Sequence, residues 1–192
     1  MSSQNTVKAS AEGVAASAKA ASKGRGLPPV HKWDPPDCGA LDMRIARDGS
    51  WHYQGSPINR PELVRLFSTI LRKDGDSYVL VTPVEKVTIT VEDAPFVAVA
   101  MTVAGQGRDQ ALTFRSNLDE EIVAGPTAPI RVTIDPATEE PSPYVLVRAN
   151  LEALIDRKSF YRLVERGAHH EGWFGVWSDG AFFKVIPSDQ LP

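Results

Sequence analysis

The chain has 192 residues, of which 42% are hydrophobic and 23% are charged, and its formal net charge is −3. This composition is typical of a globular protein with a buried core, and it excludes the fibrous and wholly disordered classes. The acidic balance argues against a non-specific nucleic-acid binder, which needs clustered Lys and Arg residues to contact phosphates. No stretch approaches the about 18 consecutive apolar residues of a membrane-spanning helix, so we expect no membrane span.

Residues 1–26 consist mainly of Ala, Ser, Lys and Gly and carry four basic residues against one acidic residue. Such a segment has little apolar surface to bury, and we expect a disordered tail. Its basic, Ser-rich composition also resembles an organellar transit peptide, which remains an alternative.

Two features indicate where the protein resides. The N-terminal segment lacks the apolar stretch of a secretory signal, and Cys38 is the only cysteine, so no disulfide can form within the chain. We therefore expect a cytoplasmic location. Cys38 has no neighbouring cation to activate its thiol, and we expect it to be a small buried residue rather than a nucleophile.

The next stretch predicts an extended arm and a hairpin. Residues 27–39 contain four prolines around Trp33, which is typical of an arm anchored on the body by that ring. Residues 43–46 and 50–53 alternate apolar and polar side chains on either side of Asp48-Gly49. This pattern predicts a β-hairpin.

A short pattern then occurs twice, in residues 58–66 and 155–163: Ile, a helix-cap residue, Arg, two variable residues, two apolar residues, Arg and Leu. Arg60 and Arg157 lie 97 residues apart, about half the chain. This spacing predicts a duplicated unit.

Each copy of the pattern predicts a helix. In the first copy, Asn59 and Glu62 form a capping-box pattern, and an apolar face continues as far as Leu71. The second helix starts either at Asp156 or earlier, at Asn150, and ends near Gly167.

The rest of the chain reads mainly as strands, with a final hairpin around Asp179-Gly180. The Pro- and Gly-containing residues 125–129 indicate the junction between the halves. We therefore predict an α+β protein with a tail (residues 1–26), an N-terminal subdomain (27–125) and a C-terminal subdomain (126–192). Each subdomain is expected to be a curved antiparallel sheet with one amphipathic helix. The other strands are expected at residues 78–82, 84–92, 96–103, 111–115, 130–135 and 144–148.

Common catalytic and cofactor motifs are missing from the sequence: it has no phosphate loop, dinucleotide fingerprint, nucleophile elbow or zinc-protease helix. Gly105-Gln106-Gly107 is explained by a tight turn between strands. The side chains of His169-His170-Glu171 point in different directions on an extended loop, which favours solvent over a metal ion. We expect no metal and no cofactor.

Charged and polar residues beside predicted cores are the candidates for a site. Arg60 and Arg157 lie in the first turn of each predicted helix, where the helix dipole disfavours a cation. Each is therefore expected to have a partner, either a ligand or a carboxylate such as Asp42, Glu85 or Asp93.

Two further groups of polar residues lie at predicted turns and strand ends. Thr82, Glu85 and Lys86 surround a turn at Pro83 and could hydrogen-bond a polar ligand. The other group is Asn117, Tyr144 and Arg148. Solvated turn residues are an equally good explanation for both groups.

Many short motifs together resemble the bacterial family called domain of unknown function 1285. The resemblance runs from about Cys38 to Val185. Its matching segments are Cys38-Gly39, Asp48-Gly49-x-Trp51, Gly55-x-Pro57-Ile58-x-Arg60, Leu66-Phe67, Thr82-Pro83-x-Glu85-Lys86, Asp93-x-Pro95-Phe96, Pro143-Tyr144, Arg148, Arg157 and Ser178-x-Gly180.

The resemblance implies a duplicated α+β fold whose C-terminal half is similar to a pleckstrin-homology-like barrel. It also implies a nucleotide-like ligand between the halves and a role in signalling. The family has no established catalytic residue, so the resemblance supplies none.

We therefore expect a non-enzymatic module that binds a small anionic, nucleotide-like ligand between its halves, or a signalling partner that presents one. The expected ligand-binding residues are Arg60, Thr82, Glu85, Lys86, Asn117, Tyr144, Arg148 and Arg157. One alternative is a hydrolase or transferase that uses Glu85 and Lys86. Another is a protein-interaction domain that uses a sheet edge or groove.

Overall fold

The computed structural model describes residues 8–191. Contacts divide the chain into two compact units, Met1–Glu92 and Asp93–Pro192. This division lies well before residue 125, where the sequence suggested it, because the strand Phe96–Ala104 pairs with the strand Leu151–Ile155 of the second unit. Residues 125–129 are a turn inside that unit, in which Gly125 bridges to Ala128.

The first unit contains two helices and one six-stranded sheet. Its strand order is β3-β2-β1-β6-β5-β4, and β1 pairs in parallel with β6. The elements are α1 (Ala11–Ala21), β1 (Asp37–Ile45), β2 (Trp51–Tyr53), β3 (Ser56–Pro57), α2 (Pro61–Thr69), β4 (Leu71–Asp74), β5 (Ser77–Val81) and β6 (Lys86–Val91).

The second unit contains a six-stranded sheet, one helix and a three-stranded sheet. The strand orders are β10-β11-β12-β7-β8-β9 and β13-β14-β15, and β7 pairs in parallel with β12. The elements are β7 (Phe96–Ala104), β8 (Ala111–Ser116), β9 (Glu121–Val123), β10 (Ile130–Ile134), β11 (Pro141–Arg148), β12 (Leu151–Ile155), α3 (Arg157–Val164), β13 (Ala168–His170), β14 (Trp173–Ser178) and β15 (Ala181–Pro187).

The two six-stranded sheets have the same topology. When the strands of each sheet are counted from one to six along the chain, both have the order 3-2-1-6-5-4, with the first and last strands parallel. This confirms the α+β class and the two related halves. The sheets are not purely antiparallel, because each contains that one parallel pair.

The repeated Ile-x-Arg pattern does not mark equivalent positions in this duplication. Its first copy forms α2, between the third and fourth strands of the first sheet, whereas its second copy forms the end of β12 and α3, after the sixth strand. The two segments are alike because a strand-to-helix start needs similar local residues wherever it occurs.

Ala11–Ala21 form helix α1, so the prediction of a disordered tail is wrong for these residues. Ser10 caps α1 by accepting a hydrogen bond from the Gly13 N–H at 3.1 Å. Ala11, Val14, Ala15 and Ala18 are buried, and α1 packs on α2. Alanine has the highest helix propensity, and its small side chain lets two helices approach closely. Residues 1–7 lie outside the described part.

Helix α2 closes the core of the first unit. Its Phe67 is fully buried, and the ring stacks on Trp51 with centroids 6.2 Å apart. The helix starts at Pro61 with Arg60 at the N-cap position, so the predicted cap at Asn59 is wrong. Proline fits the first helical position because its missing N–H would have no partner there. The helix also ends earlier than predicted, because Leu71 begins β4.

The predicted arm and hairpins are present. Arg72 on β4 donates hydrogen bonds at 2.8 Å to the backbone carbonyls of Val30 and Trp33, which holds the proline-rich arm in place. The hairpin around Asp48-Gly49 pairs Met43 with Tyr53, and the final hairpin joins β14 to β15.

The start of α3 resolves the choice that the sequence left open. Asp156 is the N-cap, and its carboxylate accepts a hydrogen bond from the Ser159 N–H at 2.8 Å. Helix initiation at Asn150 is wrong, because Leu151–Ile155 is strand β12.

Candidate functional site

A cavity of about 240 Å³ lies beside α1 and the start of α2, within the first unit. Its lining combines alanines and a leucine with three charged residues. We call it the α1/α2 groove, and the residues that line it are Ala11, Glu12, Ala15, Ala16, Lys19, Arg60 and Leu63.

The local structure explains why these side chains lie together. Glu12, Ala16 and Lys19 follow one another at helical spacing, so they share one side of α1. Arg60 lies at the N-cap of α2, and its side chain makes no capping hydrogen bond. The leading N–H groups of α2 therefore add partial positive charge near this guanidinium.

The charged residues of the groove do not neutralise one another. Within residues 8–191, the side chains of Glu12, Lys19 and Arg60 take part in none of the ion pairs. All three are exposed. The groove thus offers two cations and one carboxylate to a molecule from solvent.

A second cavity, of about 260 Å³, lies at the N-terminus of α1. The Tyr53 hydroxyl at this cavity accepts a long hydrogen bond, 3.4 Å, from the Ala11 N–H. Its lining residues are Lys8, Ala9, Ser10, Ala40, Leu41, Asp42, Tyr53 and Gln54.

Thr82, Glu85 and Lys86 make structural contacts within the first unit. The buried Thr82 hydroxyl accepts hydrogen bonds from the N–H groups of Val84 (3.4 Å) and Glu85 (3.2 Å), which stabilises the turn. Glu85 accepts a hydrogen bond from Ser17 Oγ on α1 at 3.3 Å. None of the three lines either cavity described above.

Lys86 instead belongs to an ion cluster with Asp74. Its Nζ lies 3.7 Å from Asp74 Oδ2, and Arg72 donates two hydrogen bonds, at 2.7 and 2.8 Å, to the same carboxylate. The hydrogen bonds from Arg72, together with the two positive charges, lower the pKa of Asp74. The cluster joins β4 to β6.

Asn117 and Arg148 have structural partners in the second unit. Asn117 Oδ1 accepts a hydrogen bond from the Val97 N–H at 3.0 Å, and the Asn117 N–H donates to the Val97 carbonyl at 2.8 Å. Arg148 donates to both carboxylate oxygens of Glu120, at 2.5 and 2.7 Å, and its guanidinium lies over the Phe96 ring at 5.0 Å.

Tyr144 belongs to a third polar network. Its hydroxyl donates a 2.7 Å hydrogen bond to Asp93 Oδ1, and the Arg131 guanidinium lies over its ring at 4.4 Å. Burial raises the pKa of Tyr144 to about 12, and the hydrogen bond to the Asp93 carboxylate acts in the same direction. Arg131 is held in turn by two hydrogen bonds to Glu152.

Of the eight sequence-predicted site residues, Arg60 lines one of these cavities, and Arg157 lies exposed at the first turn of α3. Of the two partners predicted for these arginines, a ligand or a carboxylate such as Asp42, Glu85 or Asp93, the carboxylate is not found among residues 8–191.

Glu12 and Lys19 were not predicted as site residues, because the composition of residues 1–26 indicated a disordered tail. The missed signal is Ser10 as a cap, followed by Ala11, Val14, Ala15 and Ala18 at helical spacing.

Two local predictions also need correction. Cys38 is exposed rather than buried, because it lies in the exposed N-terminal part of β1. His169 and His170 lie in strand β13 rather than in a loop, and the His170 ring packs near Trp177 and Phe182.

The tight turn predicted at Gly105-Gln106-Gly107 is present between β7 and β8. A positive φ at Gly105 and at Gly107 produces the turn between β7 and β8. Residues 8–191 contain no group of three or more His, Cys, Asp or Glu side chains placed to hold a metal ion. Over the same range, no helix is long and apolar enough to cross a membrane.

Comparisons with known proteins agree with this architecture. A family model described as the N-terminal domain of DUF1285, a domain of unknown function, matches residues 28–94, and the model for the C-terminal domain matches residues 95–185. No curated protein matches the chain.

Two crystal structures of DUF1285 family proteins are similar to the chain. The protein from Silicibacter pomeroyi DSS-3 is 60% identical, with a TM-score of 0.85, over 93% of this chain and 97% of its own. The protein from Shewanella baltica OS155 is 25% identical, with a TM-score of 0.51, over 66% of this chain and 92% of its own. With both family models matched in sequence order, the chain belongs to the DUF1285 family.

Proposed function

We propose that the protein is a non-enzymatic module that binds a small anionic ligand in the α1/α2 groove. The observation that carries this proposal is the pair Arg60 and Lys19. Both cations line one cavity, and neither has a carboxylate partner in the described part of the chain. A phosphate or carboxylate group supplies the missing negative charge.

Each residue of the groove has a role in this proposal. The planar guanidinium of Arg60 donates two parallel hydrogen bonds to the anion, and Lys19 supplies a point charge. The leading N–H groups of α2 favour the same anion. Glu12 accepts a hydrogen bond from a hydroxyl or amine of the ligand. Leu63 and the alanines contact its apolar part.

The size of the groove limits what it can hold. Its volume of about 240 Å³ is smaller than the roughly 300–1,000 Å³ of sites that enclose a drug-sized ligand. The groove therefore takes the charged end of a molecule, such as the phosphate of a nucleoside monophosphate, and leaves the rest in solvent.

The ligand would touch both α1 and α2, so its binding would stabilise the docking of α1. A module whose terminal helix is held by a metabolite is suited to signalling. We place this function in the cytoplasm, because the exposed, unpaired thiol of Cys38 is compatible with a reducing compartment.

The alternative of an enzyme based on Glu85 and Lys86 is not favoured by any contact in the structure. Glu85 is hydrogen-bonded to Ser17, and Lys86 is paired with Asp74. These contacts support a structural role for the pair.

A thermal-shift screen with inorganic phosphate, nucleoside monophosphates and citrate tests the proposal. A ligand present at about 100 times its Kd stabilises the folded state by about 2.7 kcal/mol, which raises the Tm by roughly 5–10 °C. We expect such a rise for the natural protein, and its loss in Arg60→Gln and Lys19→Gln.

Lys23→Gln is the matched control, because Lys23 is an exposed cation just beyond α1 and does not line the groove. It should keep the full shift. The proposal fails if none of the anions raises the Tm, or if the groove variants respond as the control does.

A further inference from the structure

We propose that the solvent-exposed side of α3 is a docking surface for an acidic helical segment of a partner protein. We call this surface the α3 basic face. It consists of Arg157, Lys158, Tyr161, Arg162 and Arg166, all of which are exposed. It belongs to the second unit and is independent of the α1/α2 groove.

The two sides of α3 differ sharply in burial. Ser159, Phe160 and Leu163 are buried against the unit, with Leu163 fully inaccessible. On the other side, Lys158 and Arg162 are four residues apart, and Arg166 follows after four more. Arg166 lies two residues beyond the end of α3, in a turn in which its N–H donates to the Leu163 carbonyl at 3.0 Å. Lys158 and Arg162 therefore form a row on one side of the helix, with Cβ atoms about 6 Å apart, and Arg166 lies just past its end.

A second row adds an aromatic side chain. Arg157 and Tyr161 lie beside the first row, and Tyr161 is 60% exposed although it is a large residue. An exposed Tyr surrounded by arginines is the composition found at the energetic centre of protein interfaces. Glu165, also exposed, is the acidic residue of this row.

The cations of this face have no carboxylate partner. Among residues 8–191, Arg157, Lys158, Arg162 and Arg166 appear in none of the ion pairs. In the same unit, Arg131 and Arg148 are both paired with glutamates. Like charges four residues apart destabilise a helix, and a cation at the first turn opposes its dipole. Helix stability therefore does not account for Arg157 and Lys158 at the start of α3, whereas Arg162 in the last turn and Arg166 just beyond it lie where the dipole favours a cation.

An acidic helix is the partner that fits this arrangement. Carboxylates four residues apart on a helix have the same spacing as Lys158 and Arg162, so two helices side by side can pair along the row, and Arg166 beyond the end of α3 is available to a further carboxylate. The aromatic ring of Tyr161 then packs on the apolar stems of the partner's side chains. Such a small, charged interface gives weak and salt-sensitive binding.

Nucleic acid and an anionic membrane fit less well. The chain as a whole carries a net charge of −3, so the surface beyond α3 is acidic and repels a polyanion or an anionic bilayer. Four cations neutralise only a few phosphates, whereas a stable nucleic-acid complex uses a broad basic surface.

The test is fluorescence anisotropy with a labelled probe peptide. The probe is a capped, Ala-based helix of about 20 residues with Glu at every fourth position, and its counterpart has Gln in place of Glu. We expect the full-length protein to bind the Glu peptide more tightly than the Gln peptide, with an affinity that falls as salt is raised. Arg162→Glu should weaken binding about tenfold, and Tyr161→Ala severalfold.

Lys23→Glu is the matched control, because it makes the same change in net charge at an exposed cation of the first unit. It should leave the affinity unchanged, and circular dichroism should show that every variant is folded. Equal weakening by Lys23→Glu and Arg162→Glu would overturn the proposal, since binding would then depend on net charge alone.

Two other probes test the competing partners, an anionic membrane and a nucleic acid. Vesicles of phosphatidylcholine containing phosphatidylserine, and a single-stranded oligothymidylate, are titrated under the same conditions. Tighter binding of either one, lost in Arg162→Glu, would reassign the surface to a membrane or to nucleic acid and overturn the acidic-helix partner. Failure of the Glu peptide to bind even at low salt would also overturn it.

Discussion

The two units have the same strand order, and a comparison of two arginines of the second unit with one of the first shows two uses of the same side chain. In the second unit, Arg148 and Arg131 lie over aromatic rings and are paired with glutamates, so their charges contribute to the fold. In the first unit, Arg60 lies at a helix start beside a cavity and has no such partner among residues 8–191. The difference separates arginines that hold a sheet together from an arginine available to a ligand.

The largest expected effect on the free energy of unfolding comes from a change in the apolar core of the first unit. Phe67→Ala removes a fully buried ring that stacks on Trp51, and we expect a loss of about 3–5 kcal/mol in the free energy of unfolding. Urea denaturation followed by Trp fluorescence measures it. A loss below about 1 kcal/mol would show that α2 does not close this core.

A matched pair of arginine variants tests the comparison itself. Arg148→Ala leaves the Glu120 carboxylate half-buried without this partner and uncovers the Phe96 ring, so we expect a loss of about 1–3 kcal/mol. Arg60→Ala should change the stability by no more than about 0.5 kcal/mol. Denaturation of both variants in one buffer measures the two values. Equal losses would contradict the distinction.

Tyr144→Phe sharpens the description of the second unit. It removes the hydrogen bond to Asp93, and we expect a loss of about 1–2 kcal/mol near neutral pH. The pKa of Tyr144 is about 12 in the folded protein, against 10.0 ordinarily. Its stabilising contribution is therefore complete below pH 10 and is lost as the pH rises through 12.

Denaturation of the natural protein and Tyr144→Phe at neutral and strongly alkaline pH measures this dependence. The stability difference between the two proteins should shrink across that alkaline range. A difference that stays constant up to pH 12 would mean that the hydroxyl is not held as a buried donor.

The smallest effect distinguishes the two copies of the Ile-x-Arg pattern. Asp156→Ala removes the cap of α3 and should cost about 1 kcal/mol, whereas Asn59→Ala should cost close to nothing, because Asn59 lies outside the N-cap of α2. Thermal unfolding of the two variants compares them. A larger loss for Asn59→Ala would restore Asn59 as the cap.

Local signals were sufficient to predict part of the fold. The Asp48-Gly49 and Asp179-Gly180 turns placed two hairpins, because a tight turn and its flanking alternation lie within a few residues. Asp156 was a correct cap for the same reason. The cap of α2 was predicted wrongly at Asn59, because Pro61 takes the first helical position and makes Arg60 the N-cap.

The features that could not be predicted from the sequence depend on contacts between residues far apart in the chain. The parallel pairing of β1 with β6, and of β7 with β12, joins strands that no short pattern connects. Helix α1 is buried partly through its packing on α2, a distant contact that its Ala- and Ser-rich composition does not reveal. The same packing of α1 on α2 places Glu12 and Lys19 at the candidate site.

The most direct test of the proposed ligand site is an NMR titration that follows the side-chain Nε–Hε signals of Arg60 and Arg148 as phosphate or a nucleoside monophosphate is added. We predict that the Arg60 signal and the backbone amides of α1 and the α2 start shift in a saturable way, while the Arg148 signal stays in place. An Arg60 signal that does not move, or that moves no more than the Arg148 signal, would contradict the account.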